Sequence, residues 1–219
     1  TLGEASSLLN EEKYSLVRFT VEKVAGRLPV IMNIAEQATR AAVEAAREAE
    51  RCGANGLMLL PPMRYNADSR ETLAYFRAVA EATELPIMIY NNPIDYKILV
   101  TLDMFEVMAD WPAIQAVKES TRDVSNVTRM INRFGDRFKI LCGVDTIALE
   151  SLLLGADGWV AGLVDAFPRE TVAIYKLAKE KRFSEAAAIY RWFLPLLELD
   201  IHPKLVQYIK LAQTATGLG

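Results

Sequence analysis

Histidine and cysteine are nearly absent from this chain: one of the former and two of the latter in 219 residues. Two cysteines, Cys52 and Cys142, cannot build a disulfide framework, and without a C-x-x-C pair a thiolate zinc site has no ligands. The lone His202 sits in a Leu-Asp-Ile-His-Pro turn, far from any G-x-S-x-G, and reads as a loop or helix-start residue. No H-E-x-x-H occurs, and no metal site is expected. Long apolar runs are missing too; none approaches the roughly 18–20 residues needed to span a bilayer. Residues 1–10 lack the basic-then-apolar order of a signal peptide, so a cytoplasmic chain is expected. A net charge of −3 with no long basic run argues against nucleic acid as a partner.

What the chain does have is apolar content, 52%, enough for a sizeable core. Short apolar runs alternate with longer amphipathic ones. Strands are predicted at Pro29–Ile34, Asn55–Leu60, Pro86–Tyr90, Ile114–Lys118, Phe138–Cys142 and Gly158–Leu163. Helices are predicted at Glu36–Arg51, with Ala38, Ala42, Ala45 and Ala49 on one face, and at Ser69–Thr83. Further helices follow at Thr101–Ala109, with Thr101 as N-cap, then Asp123–Phe134, Thr146–Leu154 and Pro168–Lys181. After Arg182 only helices remain, near Ser184–Leu199 and Pro203–Ala215. The expected division is a (β/α) domain over residues 1–182 and a helical extension over 183–219. Regular βα alternation predicts an α/β fold with a parallel sheet, either a (β/α)₈ barrel or an open doubly wound sheet. The absence of G-x-G-x-x-G and of a phosphate loop weakens the nucleotide-binding version.

In a parallel barrel, reactive groups project from the C-terminal strand ends. There stand Tyr90-Asn91-Asn92-Pro93, Lys118-Glu119-Ser120 and Gly143-Val144-Asp145. Lys118 closes an otherwise apolar strand. Burial disfavours an ammonium, and a neutral amine at strand-end depth is what imine formation with a ketone requires. The alternative is a lysine snorkelling to the rim or paired with Glu119. Tyr90 is either a proton relay or a core tyrosine with its hydroxyl tied to a carbonyl.

Tyr90-Asn91-Asn92-Pro93 followed, 28 residues after Tyr90, by Lys118 in Ala-Val-Lys-Glu-Ser resembles the dihydrodipicolinate synthase/N-acetylneuraminate lyase family. Thr1-Leu2-Gly3-Glu4, Gly143-Val144-Asp145 and Gly155-Ala156-Asp157-Gly158 match further family segments in the same order. The resemblance implies a TIM barrel with C-terminal helices, and a Schiff-base lyase of class I aldolase type that needs no metal or organic cofactor. It implies Lys118 as the Schiff-base lysine, Tyr90 as proton donor and acceptor, and Thr1 as the hydroxyl linking the relay. Leu2 and Val160 would offer backbone contacts to a bound 2-oxo acid, and Gly143 and Asp95 would line its site. It also implies a homotetramer; separately, Met63, Tyr65 and the apolar C-terminal helices with Trp192 and Phe193 read either as its assembly surface or as ordinary packing on the barrel. Six strands counted against eight imply that the first βα unit and strand two are absent from the chain, leaving open sheet edges. A tail beyond Gly219 is expected to be missing as well.

Departures from the family bear on substrate. The lysine-biosynthesis synthase has an arginine five residues after the tyrosine; here stands Asp95. The family's second tyrosine falls on Arg64, one place from Tyr65, and its Gly-rich loop is here Asn33-Ile34-Ala35-Glu36. The expected substrate is therefore a small 2-oxo acid or cyclic imine carboxylate, as in the branch that deaminates 1-pyrroline-4-hydroxy-2-carboxylate. The alternatives are 4-hydroxy-tetrahydrodipicolinate synthase and a non-catalytic 2-oxo-acid-binding homologue.

Overall fold

Val30, Ile31 and Ile34 are β-branched, and Pro29 before them disfavours a helix. In the computed structural model, which describes residues 3–219, strand β1 spans Ile31–Ile34. It is followed by α2 (Thr39–Arg51), after α1 (Asn10–Val24) has opened the chain. Next come β2 (Gly56–Leu59), α3 (Ser69–Ala80), β3 (Ile87–Asn91), α4 (Pro93–Tyr96) and α5 (Leu102–Met108). Then follow β4 (Ile114–Glu119), α6 (Ser125–Phe134), β5 (Lys139–Cys142), α7 (Ala148–Leu153) and β6 (Gly158–Trp159). The chain ends in α8 (Pro168–Lys179), α9 (Phe183–Leu197) and α10 (Leu205–Thr216).

The strand order is β1-β2-β3-β4-β5-β6, in sequence order throughout. β1 with β2, β2 with β3 and β5 with β6 pair parallel. A doubly wound sheet reverses its strand order at a switch point; this one does not, which is the topology of a (β/α) barrel. The chain divides into two compact units. One comprises Gly3–Val117 with Asp136–Phe138, the other Lys118–Gly135 with Lys139–Gly219. In the first, Leu57, Leu59, Phe76, Ile87, Ile89, Phe105 and Ile114 are buried. In the second, Leu163, Ile174, Ala186, Phe193 and Leu197 form one apolar cluster.

The sequence expectations meet these elements with instructive differences. Ala42, Ala45 and Ala49 are buried as the spacing requires, but the fourth position is Ala46; Ala38 is exposed and precedes the helix. Thr101 caps α5, its hydroxyl accepting from the Met104 N–H at 3.3 Å. His202 accepts the Lys204 N–H on Nδ1 at 3.0 Å, a helix-entry role. Phe193 is wholly buried, so of the two α9 aromatic residues considered for an assembly surface only Trp192 is exposed. Two helices went unread. α1 buries only Val17 and leaves Leu16 and Phe19 exposed, so it lacks a clean apolar stripe. α4 is a single turn, started by Pro93 at its first position and the Asn92 side chain as its cap. The sixth strand, expected to run to Leu163, stops at Trp159 for a reason given below.

Within the first unit, Arg137 holds the exit from α5. Its guanidinium donates to the carbonyls of Ala109 and Ile114 at 2.8 Å each and of Trp111 at 2.9 Å. Helix C-terminal carbonyls have no partner within their own helix, and a planar five-donor fork can serve several at once. It also lies 4.6 Å from the centroid of Phe138. Arg137→Ala is expected to cost about 2–3 kcal/mol, the scale of a charge-assisted hydrogen bond whose partners are left buried. Arg137→Lys should recover only part of it, since an ammonium cannot span three carbonyls. Urea unfolding of the three proteins checks this, and equal midpoints for lysine and arginine would refute the fork.

Candidate functional site

In the second unit, Lys118 and Glu119 end β4 and Ser120 follows it. Alternation along the strand puts Lys118 and Ser120 on one face and Glu119 on the other. Glu119 is buried, and its carboxylate accepts from the Thr121 N–H and the Asn126 Nδ2, both at 2.8 Å. It thereby shapes the turn after the strand. Lys118 is half-buried. Across from it, the Gly143 N–H donates to the Glu119 carbonyl at 2.8 Å. A Cβ on Gly143 would lie 2.6 Å from Lys118 Cγ, 2.7 Å from Lys118 Cε and 2.1 Å from Ser120 Oγ. The lysine side chain and the serine hydroxyl therefore occupy the space that any other residue at 143 would fill. Ser120 is buried, and its hydroxyl has no hydrogen-bond partner among the described residues. The sequence alone gives Ser120 no role. The available signal was its i+2 spacing from Lys118, which places both on one face.

Val160 follows β6, and its N–H donates to the Cys142 carbonyl at 2.8 Å. The Val160 N–H is thus engaged within the fold, which leaves its carbonyl for the backbone contact expected of this residue. Burial pushes the Cys142 thiol up to about 11, which makes it a packing group rather than a nucleophile. Two residues past Gly143, Asp145 is fully buried. Its carboxylate accepts from Trp159 Nε1 and the Gly162 N–H at 3.0 Å each, and from the Leu163 N–H at 2.8 Å. Those bonds explain the short sixth strand: Gly162 and Leu163 direct their N–H groups to a carboxylate instead of a neighbouring strand. Burial, joined by the like charge of Asp200, pushes the Asp145 carboxyl above the usual carboxylate range; the surrounding N–H groups pull the other way.

In the first unit, Tyr90 lies near the end of β3, buried in a cluster with Leu60 and Tyr96. The Tyr96 ring meets it edge-on, at a centroid distance of 5.3 Å. The Asn92 Nδ2 donates to Asp95 Oδ2 at 2.7 Å and, more weakly, to the Tyr90 hydroxyl at 3.4 Å. One carboxamide therefore connects the tyrosine to the aspartate. Asn91 does different work. Its side chain donates to the Val100 carbonyl and accepts the Val100 N–H, each at 3.0 Å, clamping the segment that carries Asp95. Asp95 itself is exposed, as are Arg64 and Tyr65 after β2.

The sequence-predicted residues thus fall in two groups. Lys118, Gly143 and Val160 belong to the second unit and Tyr90 and Asp95 to the first. Thr1 and Leu2 lie outside the described residues. Among the described residues no three His, Cys, Asp or Glu side chains converge in a way that could hold a metal ion. No helix among them is long and apolar enough to cross a membrane.

Comparison with known proteins places this arrangement. The sequence pattern of the Dihydrodipicolinate synthetase family matches residues 1–219. The chain is 34% identical over 207 residues to the 4-hydroxy-tetrahydrodipicolinate synthase of Exiguobacterium sibiricum, covering 93% of this chain and 70% of that protein. It is 37% identical over 172 residues to the enzyme of the same name from Clostridium perfringens, covering 78% of this chain and 59% of that protein. Among solved structures, dihydrodipicolinate synthase from Aquifex aeolicus superposes with a TM-score of 0.94 at 28% identity, over 99% of this chain and 74% of that one. The Acinetobacter baumannii synthase, solved in complex with pyruvate, gives a TM-score of 0.94 at 26% identity, over 99% and 75% of the respective chains.

Proposed function

The chain belongs to the dihydrodipicolinate synthetase family, whose members are Schiff-base lyases of class I aldolase type, and from that premise we propose that Lys118 is its imine-forming residue. The observation that carries the reading is the packing of the Lys118 stem against Gly143, where no Cβ fits. A nucleophile must be held within fractions of an ångström of its line of attack, and a lysine laid along a glycine at a strand end is held in that way.

Lys118 attacks the C2 carbonyl of a small 2-oxo acid. The carbinolamine loses water to an iminium, which withdraws electrons and makes the C3 proton acidic. Tyr90, carried over from the family's pattern, gives a proton to the departing water and takes one back in later steps, with the hydroxyl of Thr1 in the relay. The backbone of Leu2 contacts the substrate's carboxylate, and the Val160 carbonyl, its N–H being engaged, accepts from the protonated imine nitrogen.

For the substrate, Asp95 is the discriminating residue. A cation at that place would hold the carboxylate of aspartate semialdehyde; an anion repels it. Its carboxylate is instead a hydrogen-bond acceptor, suited to a hydroxyl. This favours 1-pyrroline-4-hydroxy-2-carboxylate. Lys118 would attack C2 of the ring, and the C2–N bond would break to leave the nitrogen on C5. Loss of the C3 proton and the C4 hydroxyl then eliminates water. That leaves a C3=C4 double bond conjugated with the iminium. A proton moves from C5 to C3 to give a C4=C5 enamine, which tautomerises to an imine at C5. Water hydrolyses that imine to an aldehyde and ammonia, and a second water frees the 2-oxo acid from Lys118. The second reading, 4-hydroxy-tetrahydrodipicolinate synthase, is favoured by the name of the relatives.

Borohydride trapping with pyruvate and with the hydroxypyrroline, followed by peptide mass mapping, tests the first proposal; the reduced adduct is expected on Lys118. A trapped adduct on another lysine would refute the assignment, and no adduct with either compound would indicate a non-catalytic homologue. Condensation of pyruvate with aspartate semialdehyde is expected to run at least about two orders of magnitude below the hydroxypyrroline reaction in kcat/KM, because a lost charge-assisted pair and added repulsion together exceed about 2.7 kcal/mol. A synthase kcat/KM above roughly 10⁴ M⁻¹s⁻¹ would overturn the substrate reading.

A further inference from the structure

Asp145 has no part in the chemistry above, yet its buried carboxylate accepts from three donors. Its side chain is 0% exposed. Both oxygens face the segment after β6: Oδ1 accepts from Trp159 Nε1 and Gly162 N, and Oδ2 from Leu163 N, with a second, longer contact of 3.2 Å from Gly162 N. Its own backbone reaches the other way. The Asp145 N–H donates to Asp200 Oδ2 at 3.1 Å, and its carbonyl accepts from the Tyr190 hydroxyl at 2.8 Å. One residue therefore joins the end of β5, the turn after β6, helix α9 and the 3₁₀ turn Glu198–Ile201.

The placement matters because of its neighbours in the chain. Gly143, against which Lys118 lies, is two residues before Asp145. Val160 is two residues before Gly162. A backbone N–H turned into an apolar interior must be paired, and among the described residues this carboxylate is the acceptor for the Gly162 and Leu163 N–H groups. Without it the Val160–Gly162 backbone loses the bonds that end β6 where it ends.

We propose that Asp145 is a positioning residue that sets the backbone at Val160–Gly162, and with it the Val160 side of the Lys118 site, through its bonds to Gly162, Leu163 and Trp159. The proposal rests on the reading of Lys118 as the imine-forming residue. It separates from a purely structural role in one respect. A residue that only stabilises the fold changes the melting temperature and leaves the affinity of the folded protein alone. A residue that places substrate-binding backbone changes the concentration of substrate that half-saturates adduct formation.

The test uses pyruvate as probe, with borohydride trapping read as a function of pyruvate concentration, alongside thermal melting. Asp145→Asn keeps the shape but aims an amide N–H₂ at backbone donors. It is expected to raise the half-saturating pyruvate concentration by about tenfold to a hundredfold, the scale of an ångström-sized misplacement, with a smaller loss of rate at saturation. Phe193→Leu, which opens a gap in the apolar cluster without touching Asp145, supplies a comparably destabilised protein with unchanged half-saturation. Trp159→Phe removes one donor to the carboxylate and is expected to give a smaller rise in the same direction, and it serves where Asp145→Asn does not fold. Half-saturation within twofold of the parent in whichever variant folds would overturn the positioning role while leaving Lys118 in place. Failure of the parent protein to form any pyruvate adduct would instead bring down the reading of Lys118 on which the proposal stands.

Discussion

Lys118→Ala is expected to eliminate the borohydride-trapped adduct and to lower turnover by about 10⁶-fold or more, the lower bound of ordinary enzymatic acceleration. The size of the effect follows from covalent chemistry. Without an amine no iminium forms, so nothing withdraws electrons from C2, and no neighbouring group substitutes for a missing bond. The fold should survive, because the residue is half-buried at a strand end and its backbone keeps its place in β4. Circular dichroism and thermal melting check the fold; mass mapping checks the adduct. Tyr90→Phe makes the informative contrast. It should still trap substrate on Lys118 while turning over roughly 10²–10⁴-fold more slowly, the usual contribution of a positioned acid–base group. Full activity in Lys118→Ala would refute the mechanism.

Gly143→Ala is expected to slow the protein by a smaller but still large factor, about 10²-fold, at a modest cost in stability. The added methyl would sit 2.6 Å from Lys118 Cγ and 2.1 Å from Ser120 Oγ, well inside van der Waals contact. Something must move. The serine hydroxyl can rotate, and the lysine stem can swing away more cheaply than two strands can separate, because the Gly143 N–H to Glu119 carbonyl bond ties them at 2.8 Å. Overpacking of this kind costs about 1–3 kcal/mol. The displaced amine costs more in rate, since a misplacement near 1 Å is worth about 10²-fold. The expected result is a folded protein whose rate of adduct formation at saturating pyruvate drops by about that factor. An unchanged trapping rate would show that the close approach does not position the lysine.

These two variants mark the boundary between what was legible beforehand and what was not. Lys118 could be picked out because a charged residue closes an apolar strand, and strand ends are where a parallel barrel carries its chemistry. Gly143 is singled out by its strand-end place and the family resemblance, but nothing local says why a glycine is needed there; the reason exists only once Lys118 and Ser120 are beside it. Asp145 was visible as an acidic residue after a strand, but its donors lie 14 to 18 positions later, and its partner Asp200 lies 55 positions away. The Arg137 fork is similar, with carbonyls 23 to 28 positions upstream. Asn91 and Asn92 were read as one motif. The first clamps Val100, while the second caps α4 and touches both Tyr90 and Asp95.

The sequence by itself determined the alternation of strands and helices, the N-cap at Thr101, the alanine face of α2 and the strand-end positions of Tyr90, Lys118 and Gly143. Each of these depends on interactions within one turn or one strand: side-chain period, capping by the nearest hydroxyl, and the backbone preferences of single residues. The tertiary structure alone decided that β6 stops at Trp159, that a glycine makes room for Lys118, and that Asn92 holds Asp95. Those outcomes rest on hydrogen bonds and close contacts whose partners become neighbours only when the chain has folded, so no local pattern encodes which pairs will meet.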